Sequence, residues 1–295
     1  DENIWLASGG GGIGGFWGSV RSNGVDTSNG SRSTGSIPFM HVVDSQMLAF
    51  NQGVTRRGSY AAYLNISHPE IEEFIGMRKT TGGDLNRKCL NLHNAVNITN
   101  GFLGAVANDD DWRLIDPKTN TAVKIVSARD LWFQLIHTRM ETGEPYIVNI
   151  DNCNAALPEE QKKLGLEIKQ SNLCSEITLP TNEERTAVCC LSSVNLEYFD
   201  EWSTVDEFIP DLITMLDNVL EHFIDSVKDT GGYSKAAYSA MRERSVGLGA
   251  MGFHSYLQKN SIPFESMYAS SFNHKAFTLI KDRALTATRK LGEER

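Results

Sequence analysis

The chain has 295 residues, of which 40% are hydrophobic, so it is long enough to bury a full core as one large domain or two small ones. Its formal net charge of −9 argues against a nucleic-acid-binding surface, because neutralising phosphates requires clustered Lys and Arg. The sequence has no apolar run of about 18 residues and no signal-peptide pattern, so we expect no membrane contact and a cytoplasmic protein.

The predicted elements alternate between helices and strands. The first half of the chain contains, in order, a glycine-rich turn at 9–15, a flexible polar stretch at 22–36, a helix at 37–50, a strand at 58–65, a helix from an N-cap at Ser67 to about 78, a breaker-rich loop at 79–87, a strand at 92–98, a helix from the cap Ser127 to 140 that Gly143 ends, and a strand at 146–150. The second half contains an apolar run at 187–194, a helix at 206–227 with Phe208, Leu212, Leu216, Leu220 and Phe223 as its core side, a small-residue strand at 245–252, and helices at 254–259 and 265–291. The alternation predicts an α/β architecture with largely parallel strands.

The five cysteines do not form a secreted disulfide framework in a chain of this length, and no Cys-x-x-Cys pair is present. Cys189 and Cys190 are adjacent, a spacing that does not suit two ligands of one tetrahedral zinc. We therefore expect no metal site. Reactive or buried thiols are the better interpretation, and Cys89, Cys153 and Cys190 fit buried ones.

The segment around Cys174 is the most informative part of the sequence. If it is extended, the side chains of Asn172, Cys174 and Glu176 point the same way and meet one substrate. The amide can donate and accept hydrogen bonds, the carboxylate can take a proton, and the sulfur can act as nucleophile, metal ligand or hydrogen-atom acceptor. This set suits chemistry on a polyol such as ribose. A buried structural cysteine beside an exposed loop carboxylate is the competing interpretation.

A cysteine hydrolase is a further alternative, with Cys174 as nucleophile and a distant histidine such as His93 or His137 as base. It predicts a thiolate that reacts with alkylating agents near neutral pH. No local hydrolase pattern accompanies the cysteine, which disfavours this alternative.

Four segments, in family order along nearly the whole chain, resemble the large catalytic subunit of class I ribonucleotide reductases. They are residues 10–15 (GGGIGG), 51–58 (NQGVTRRG), 172–177 (NLCSEI) and 242–249 (RERSVGLG). Class II members resemble Asn-Pro-Cys-Gly-Glu at the third segment, so Leu173 and Ser175 favour class I. The resemblance implies part of a ten-stranded α/β barrel built from two five-stranded halves. Residues 1–295 would form this partial barrel without a separate second domain, and a central finger loop at about 165–180 would hold the catalytic cysteine.

The resemblance also implies roles for individual residues. Cys174 would become the thiyl radical that takes the 3′ hydrogen of the ribose, sheltered from solvent in the centre of the barrel. Glu176 would accept the 3′-hydroxyl proton, and Asn172 would hydrogen-bond the ribose hydroxyls. Gly12 and Ser171 would contact the substrate.

Cys189 matches one of two cysteines that supply electrons and close into a disulfide during turnover. Its family partner lies upstream of the glycine-rich segment, before this chain begins.

Arg21 and the flexible residues after it resemble a first specificity loop that binds a deoxynucleoside triphosphate effector. The loop at 79–87 resembles a second specificity loop, with Lys79 and Arg87 as effector-binding residues. A solvated loop charge is the alternative interpretation for Arg87.

The implied partners are a ribonucleotide substrate, a thioredoxin- or glutaredoxin-type reductant, and a radical-generating small subunit with its own metal centre. No cofactor is expected on this chain itself. Both chain ends are abrupt, which predicts a piece of a longer protein that needs the remaining half of the large subunit and does not turn over alone. A catalytically inert nucleotide-binding or assembly module of the same barrel is the alternative function.

Overall fold

The computed structural model describes residues 2–52 and 56–295, and the chain divides into two compact units, Asp1–Thr181 and Asn182–Arg295. Residues 53–55 of the segment 51–58 lie outside the described residues. No described helix combines the length and the apolar composition that a membrane crossing requires. A single barrel domain over the whole chain stays a prediction.

The first unit is built on parallel strands with helical connections. Its elements are α1 (Glu2–Ser8), β1 (Gly12–Phe16), α2 (Ile37–Ala49), β2 (Asn51–Gln52), β3 (Arg56–Arg57), β4 (Ser59–Asn65), α3 (Ile71–Ile75), a 3₁₀ turn (Leu85–Arg87), β5 (His93–Ile98), α4 (Asn100–Asn108), β6 (Asp111–Ile115), β7 (Ala122–Ser127), α5 (Ala128–Thr142), β8 (Tyr146–Asn149), α6 (Ile150–Ala155) and α7 (Glu159–Lys163). Strands β1, β4, β5 and β8 form one all-parallel sheet in that order, which confirms the predicted α/β class. The central strands β4 and β5 are almost continuously buried, as strands covered on both faces are.

The two faces of this sheet differ in the size of their side chains. One face packs large apolar groups, among them Ile13, Tyr60 and Leu64, against the helices in the main core. The other face, called here the finger face, has a smaller cluster of Ala61, Tyr63, Ala95 and Val148, against which Leu173 of the finger loop packs. The finger loop therefore lies on the face whose side chains are mostly small.

Local sequence signals predicted several elements well. The helix at 127–140 is confirmed as α5, where Ser127 caps the first turn by accepting from Asp130 N, and Gly143 ends the helix in the left-handed conformation. The helix at 37–50 and the strands at 58–65, 92–98 and 146–150 are confirmed within two residues at each end.

Two predictions in this unit are wrong. The glycine-rich residues 12–15 are not a turn but most of strand β1, hydrogen-bonded in register with β4. The helix from Ser67 to about 78 is only the short α3, because residues 67–70 form a turn in which His68 N donates to Asn65 O and Ile71 N donates to His68 O. Ser67 therefore does not cap a helix.

The second unit packs helices around one pair of strands. Its elements are β9 (Cys190–Asn195), a 3₁₀ turn (Leu196–Tyr198), α8 (Phe199–Trp202), α9 (Phe208–Val227), a 3₁₀ turn (Gly231–Tyr233), α10 (Ser234–Glu243), β10 (Val246–Met251), α11 (Phe253–Lys259) and α12 (Met267–Glu294). Strands β9 and β10 are parallel, with Val194 opposite Ala250. The predicted strand at 245–252 and the three predicted helices are confirmed.

The buried side of α9 is rotated from the predicted one. Ile209 and Ile213 are buried together with Leu216 and Leu220, whereas Phe208 and Leu212 pack against that core only partly. Asp217 is also buried, and its carboxylate is paired with Arg244 at an Nε–Oδ1 distance of 2.7 Å. The charged start of the segment 242–249 therefore has a structural role in this unit.

Candidate active site

The motif around Cys174 forms a tight turn, so the expectation of an extended segment is wrong. The backbone turns at Leu173 and Cys174 and bends at Ser175, whose φ of 68° lies in the left-handed region. That conformation costs a non-glycine residue about 1–2 kcal/mol. Surrounding contacts must compensate for it.

Asn172 closes the turn with both ends of its side-chain amide. Its Oδ1 accepts from the backbone N–H groups of Glu176 at 3.1 Å and Ile177 at 3.2 Å. Its Nδ2 donates to Glu176 Oε1 at 2.8 Å. The amide and the carboxylate are therefore in contact across the turn around Cys174. A hydrogen-bonded turn brings them together, and not the alternation of side chains along a strand.

Ser171 lies at the base of this turn and is buried. Its hydroxyl donates to the carbonyl of Ile177 and lies 3.2 Å from Asn172 Oδ1. The hydroxyl thus stabilises the turn internally, and its predicted substrate contact stays a prediction.

Strand β1 supports the turn because it has no side chains at two positions on the finger face. A Cβ atom at Gly14 would lie 2.9 Å from Asn172 Cα, and it would overlap the carbonyl oxygen of Ser171. A Cβ atom at Gly12 would lie 2.6 Å from the side chain of Leu173. The glycines allow the backbone of residues 171–173 to lie directly on the strand. The predicted substrate contact of Gly12 stays a prediction.

Tyr63 fixes the turn to the centre of the sheet, and the sequence analysis missed this residue. Its side chain is fully buried, and its phenol donates to the backbone carbonyl of Asn172 at 2.5 Å. Its place on β4 was predictable from strand alternation. Its contact was not, because 109 residues separate the two partners.

Cys174 is exposed in the described chain, so the expectation of a sheltered sulfur is not met by these residues. Desolvation raises the pKa of the thiol above its ordinary value of 9.0, and the nearby negative charge of Glu176 raises it further. The sulfur is therefore protonated at neutral pH. A protonated thiol suits hydrogen-atom exchange, whereas a hydrolase nucleophile requires a thiolate.

The histidines proposed as a hydrolase base have other partners. His93 Nδ1 lies in hydrogen-bond contact with Glu144, whose Oε2 also accepts from Arg78 Nε at 3.0 Å. His137 Nδ1 lies 3.5 Å from Glu141. Neither arrangement points to activation of Cys174.

Tyr146 is a second aromatic neighbour of the turn that sequence reasoning missed. It stacks on His93 with ring centroids 6.0 Å apart and belongs to the finger-face cluster. Burial raises the pKa of its phenol, and the charges of Glu144 and Cys174 raise it further. Tyr146 is thus a neutral phenol at neutral pH, and it packs against the same cluster as Leu173 of the turn.

Arg21 begins a segment that is anchored to the β6–β7 hairpin. The Nη1 atom of Arg21 is buried and has no hydrogen-bond partner among the described residues. The next residue, Ser22, donates from its N–H and its hydroxyl to Asp116 Oδ2, both at 2.7 Å. Burial would raise the pKa of the Asp116 carboxyl, but hydrogen bonds from Ser22, Thr119 and Lys118 lower it to about 2. An ionised, fully buried carboxylate therefore fixes the start of the predicted first specificity loop.

The two cations of the predicted second loop are ion-paired. Lys79 Nζ lies 2.8 Å from Glu141. Arg87 binds Glu73 through two nitrogens and Glu70 at 3.0 Å, and it donates to the carbonyl of Thr34 at 2.9 Å. The interpretation of Arg87 as a solvated loop charge is wrong, since its side chain is only 18% exposed. Its effector-binding role stays a prediction.

Cys189 lies in the second unit, immediately before β9, and is half-buried. Cys190 is the first residue of β9, and strand alternation places it on the same face as the buried Val194. Burial raises the pKa of the Cys190 thiol. In the first unit, Cys89 is fully buried as predicted, and Cys153 is half-buried beside the finger-face cluster.

No group of three or more His, Cys, Asp or Glu side chains within residues 2–52 and 56–295 is arranged to hold a metal ion. The potential reactive groups of the turn are the thiol of Cys174, the amide of Asn172 and the carboxylate of Glu176.

Comparisons with known proteins agree on one family. The family model for the ribonucleotide reductase barrel domain matches residues 2–295. A Frog virus 3 protein described as a ribonucleoside-diphosphate reductase large subunit is 50% identical over 295 residues, which is 100% of this chain and 51% of that protein. The ribonucleoside-diphosphate reductase large subunit of Invertebrate iridescent virus 3 is 43% identical over 318 residues, covering 90% of this chain and 50% of that protein.

A solved structure matches nearly the whole chain. The class Id ribonucleotide reductase alpha subunit of Actinobacillus ureae superposes with a TM-score of 0.84 at 32% identity, over 99% of this chain and 50% of that one. The chain thus spans about half the length of the curated relatives it matches.

The close approach of β1 to the turn gives a direct test. Gly14→Ala should lower the free energy of unfolding by about 1–3 kcal/mol or more, since backbone atoms must move to admit the methyl group. The measurement is denaturant unfolding. The matched control is Gly104→Ala, at an exposed position in α4 with open space around it. It should be neutral or stabilising by roughly 0.5–1 kcal/mol. Equal effects of the two substitutions would contradict the close approach.

Proposed function

Since this chain belongs to the ribonucleotide reductase barrel family, we propose that it takes part in reducing ribonucleotides to 2′-deoxyribonucleotides and that its reactive group is Cys174. The observation that supports this most strongly is the closed turn, in which the Asn172 amide contacts the Glu176 carboxylate beside a protonated thiol. Family membership also makes the fold part of an α/β reductase barrel.

The proposed reaction uses three side chains of the turn. Cys174, after losing its S–H hydrogen atom, takes the 3′ hydrogen of the ribose, so that an S–H bond forms as the C3′–H bond breaks. Glu176 accepts the 3′-hydroxyl proton, and an equivalent proton passes to the 2′-hydroxyl, which leaves as water. The redox cysteine pair would then supply two electrons and two protons, and the S–H hydrogen of Cys174 would return to C3′. Asn172 hydrogen-bonds the ribose hydroxyls. A radical-generating small subunit with its own metal centre would supply the oxidation of Cys174.

The hydrogen bonds of the turn suit this division of roles. Glu176 uses Oε1 to accept from Asn172, so its second carboxylate oxygen has no partner among the described side chains and can accept the hydroxyl proton. The Asn172 amide holds both neighbours of the thiol, which fixes their directions before substrate binds. Ser171 and Gly12, which adjoin the turn, would contact the substrate.

The exposure of Cys174 requires a cover that the described residues do not provide. We propose that the remaining half of the large subunit supplies it, because the chain spans about half the length of its relatives. Water must be kept from a sulfur radical, so this polypeptide would not turn over without that half.

Regeneration and control involve other residues of the proposal. Cys189 and a second cysteine from outside this chain would supply the two electrons and close into a disulfide, which a thioredoxin- or glutaredoxin-type protein would reduce. Arg21, Lys79 and Arg87 would bind the phosphates of a deoxynucleoside triphosphate effector. Arg21 fits best, because its Nη1 is buried without a partner in the described chain, whereas Lys79 and Arg87 would have to exchange carboxylates for phosphate.

A catalytically inert nucleotide-binding or assembly module of the same barrel is the second candidate. The exposed sulfur of Cys174 favours it, since an exposed radical would not persist. This candidate predicts nucleotide binding without any dependence on Cys174.

The two candidates separate in a reconstituted assay with the rest of the large subunit and a small subunit. Cys174→Ala should reduce deoxynucleotide formation to the assay background, because the hydrogen-atom acceptor is lost. The matched control, Cys190→Ala, should keep most of the activity. Full activity in Cys174→Ala would reject the assignment, and no activity in the wild-type assembly would favour the inert module.

The protonation state of Cys174 is testable without turnover. Alkylation by iodoacetamide, followed against pH by peptide mass spectrometry, should show a midpoint above the ordinary thiol pKa of 9.0. Glu176→Gln keeps an acceptor for the Asn172 amide but removes the charge, so the midpoint should move to lower pH. A wild-type midpoint near neutral pH would instead support a thiolate nucleophile.

A further inference from the structure

We propose that Tyr63 is a positioning residue for the reactive turn: its phenol fixes the carbonyl of Asn172 and thereby sets the directions in which Asn172 and Glu176 meet the substrate. The proposal rests on the proposed function for its catalytic consequence. Its structural part, that Tyr63 holds Cys174 close to Glu176, stands separately.

Tyr63 is placed with little freedom of movement. It lies on β4, an inner strand of the parallel sheet, with Phe16 of β1 and Ala95 of β5 as its register partners. Its side chain is fully buried among the finger-face residues. A tyrosine has only two side-chain torsions to the ring, so a buried ring leaves its hydroxyl at one place.

The hydroxyl reaches the residue on which the turn depends. Tyr63 donates to the carbonyl of Asn172, while the amide of the same residue holds Glu176 and the N–H of Ile177. The backbone N–H of Asn172 also donates to the carbonyl of Ile177 at 3.3 Å. A shift of the Asn172 backbone would therefore move all the hydrogen bonds that Asn172 makes across the turn.

The phenol is a durable donor at this site. Burial raises the pKa of Tyr63 and outweighs the lowering by hydrogen bonds with Ser175 and Ser171, and the charges of Tyr146 and Glu176 add smaller increases. The hydroxyl therefore keeps its proton at neutral pH and can donate it to the carbonyl of Asn172.

The same strand offers a matched control. Tyr60 lies on the opposite face of β4, is 3% exposed, and accepts a hydrogen bond from Trp17 Nε1 at 3.1 Å. Tyr60→Phe and Tyr63→Phe each remove one hydroxyl from a buried ring of one strand. Only the second hydroxyl contacts the turn.

The experiment compares these two variants in the assembled reductase. Tyr63→Phe should lower kcat by about 10–100-fold, as expected for a misplaced reacting group, with KM changed less than about threefold. Tyr60→Phe should lower the unfolding midpoint to a similar extent and leave kcat within about twofold, since its loss affects stability alone. Equal kcat values for the two variants, or a change in KM alone for Tyr63→Phe, would overturn the proposal.

A second measurement keeps the proposal separate from the function. At pH 8, Tyr63→Phe should raise the alkylation rate of Cys174 about threefold or more, because a loosened turn moves the thiol from Glu176 and lowers its pKa. Tyr60→Phe should leave that rate unchanged. If the wild-type assembly makes no deoxynucleotide, the proposed function is rejected. The alkylation rate of Cys174 then still tests whether Tyr63 positions the turn. Unchanged rates in both variants would overturn that role.

Discussion

The side-chain amide of Asn172 is the interaction on which the candidate site depends. It accepts hydrogen bonds from two backbone N–H groups and donates one to a carboxylate. This one residue therefore fixes both the backbone path of the turn and the position of the Glu176 side chain. A neutral hydrogen bond contributes about 1 kcal/mol and one to a charged group about 1.5–3 kcal/mol. Together these bonds can offset the left-handed conformation of Ser175. Without these hydrogen bonds, Asn172 and Glu176 would not be held together beside the Cys174 thiol.

The sheet below the turn is built to receive it. On the finger face of the parallel sheet, Gly14 of β1 lies opposite Ala61 of β4, and Ala95 of β5 lies opposite Tyr63 of β4. On the helix face, the same strands present Ile13 and Tyr60 to the main core. Because the faces differ in side-chain size, the helix face forms the main hydrophobic core, and the finger face lets the backbone of the turn lie directly against strand β1. Tyr63 is one of the large side chains on the finger face, and its hydroxyl donates to the carbonyl of Asn172 in the turn.

The sequence predicted what is encoded locally. Helix α5 was predictable because its cap, Ser127, and its terminator, Gly143, act within a few residues of the helix. The residues of the turn were predictable as a chemical set, but their route into contact was not. An extended backbone would have aligned these side chains by their i, i+2 spacing, whereas the positive φ of Ser175 and the hydrogen bonds of the Asn172 amide produce a closed turn. Arg87 shows the same limit, since the carboxylates that bind it are Glu73 on α3 and Glu70 just before α3, 14 and 17 residues away.

Amide hydrogen exchange at Glu176 and Ile177 tests the central claim most directly, because both N–H groups donate to Asn172 Oδ1. The account predicts slowed exchange at these two positions, lost in Asn172→Ala, while exchange in strand β5 is unchanged. Exchange at the rate of an open loop in the wild-type protein would contradict it.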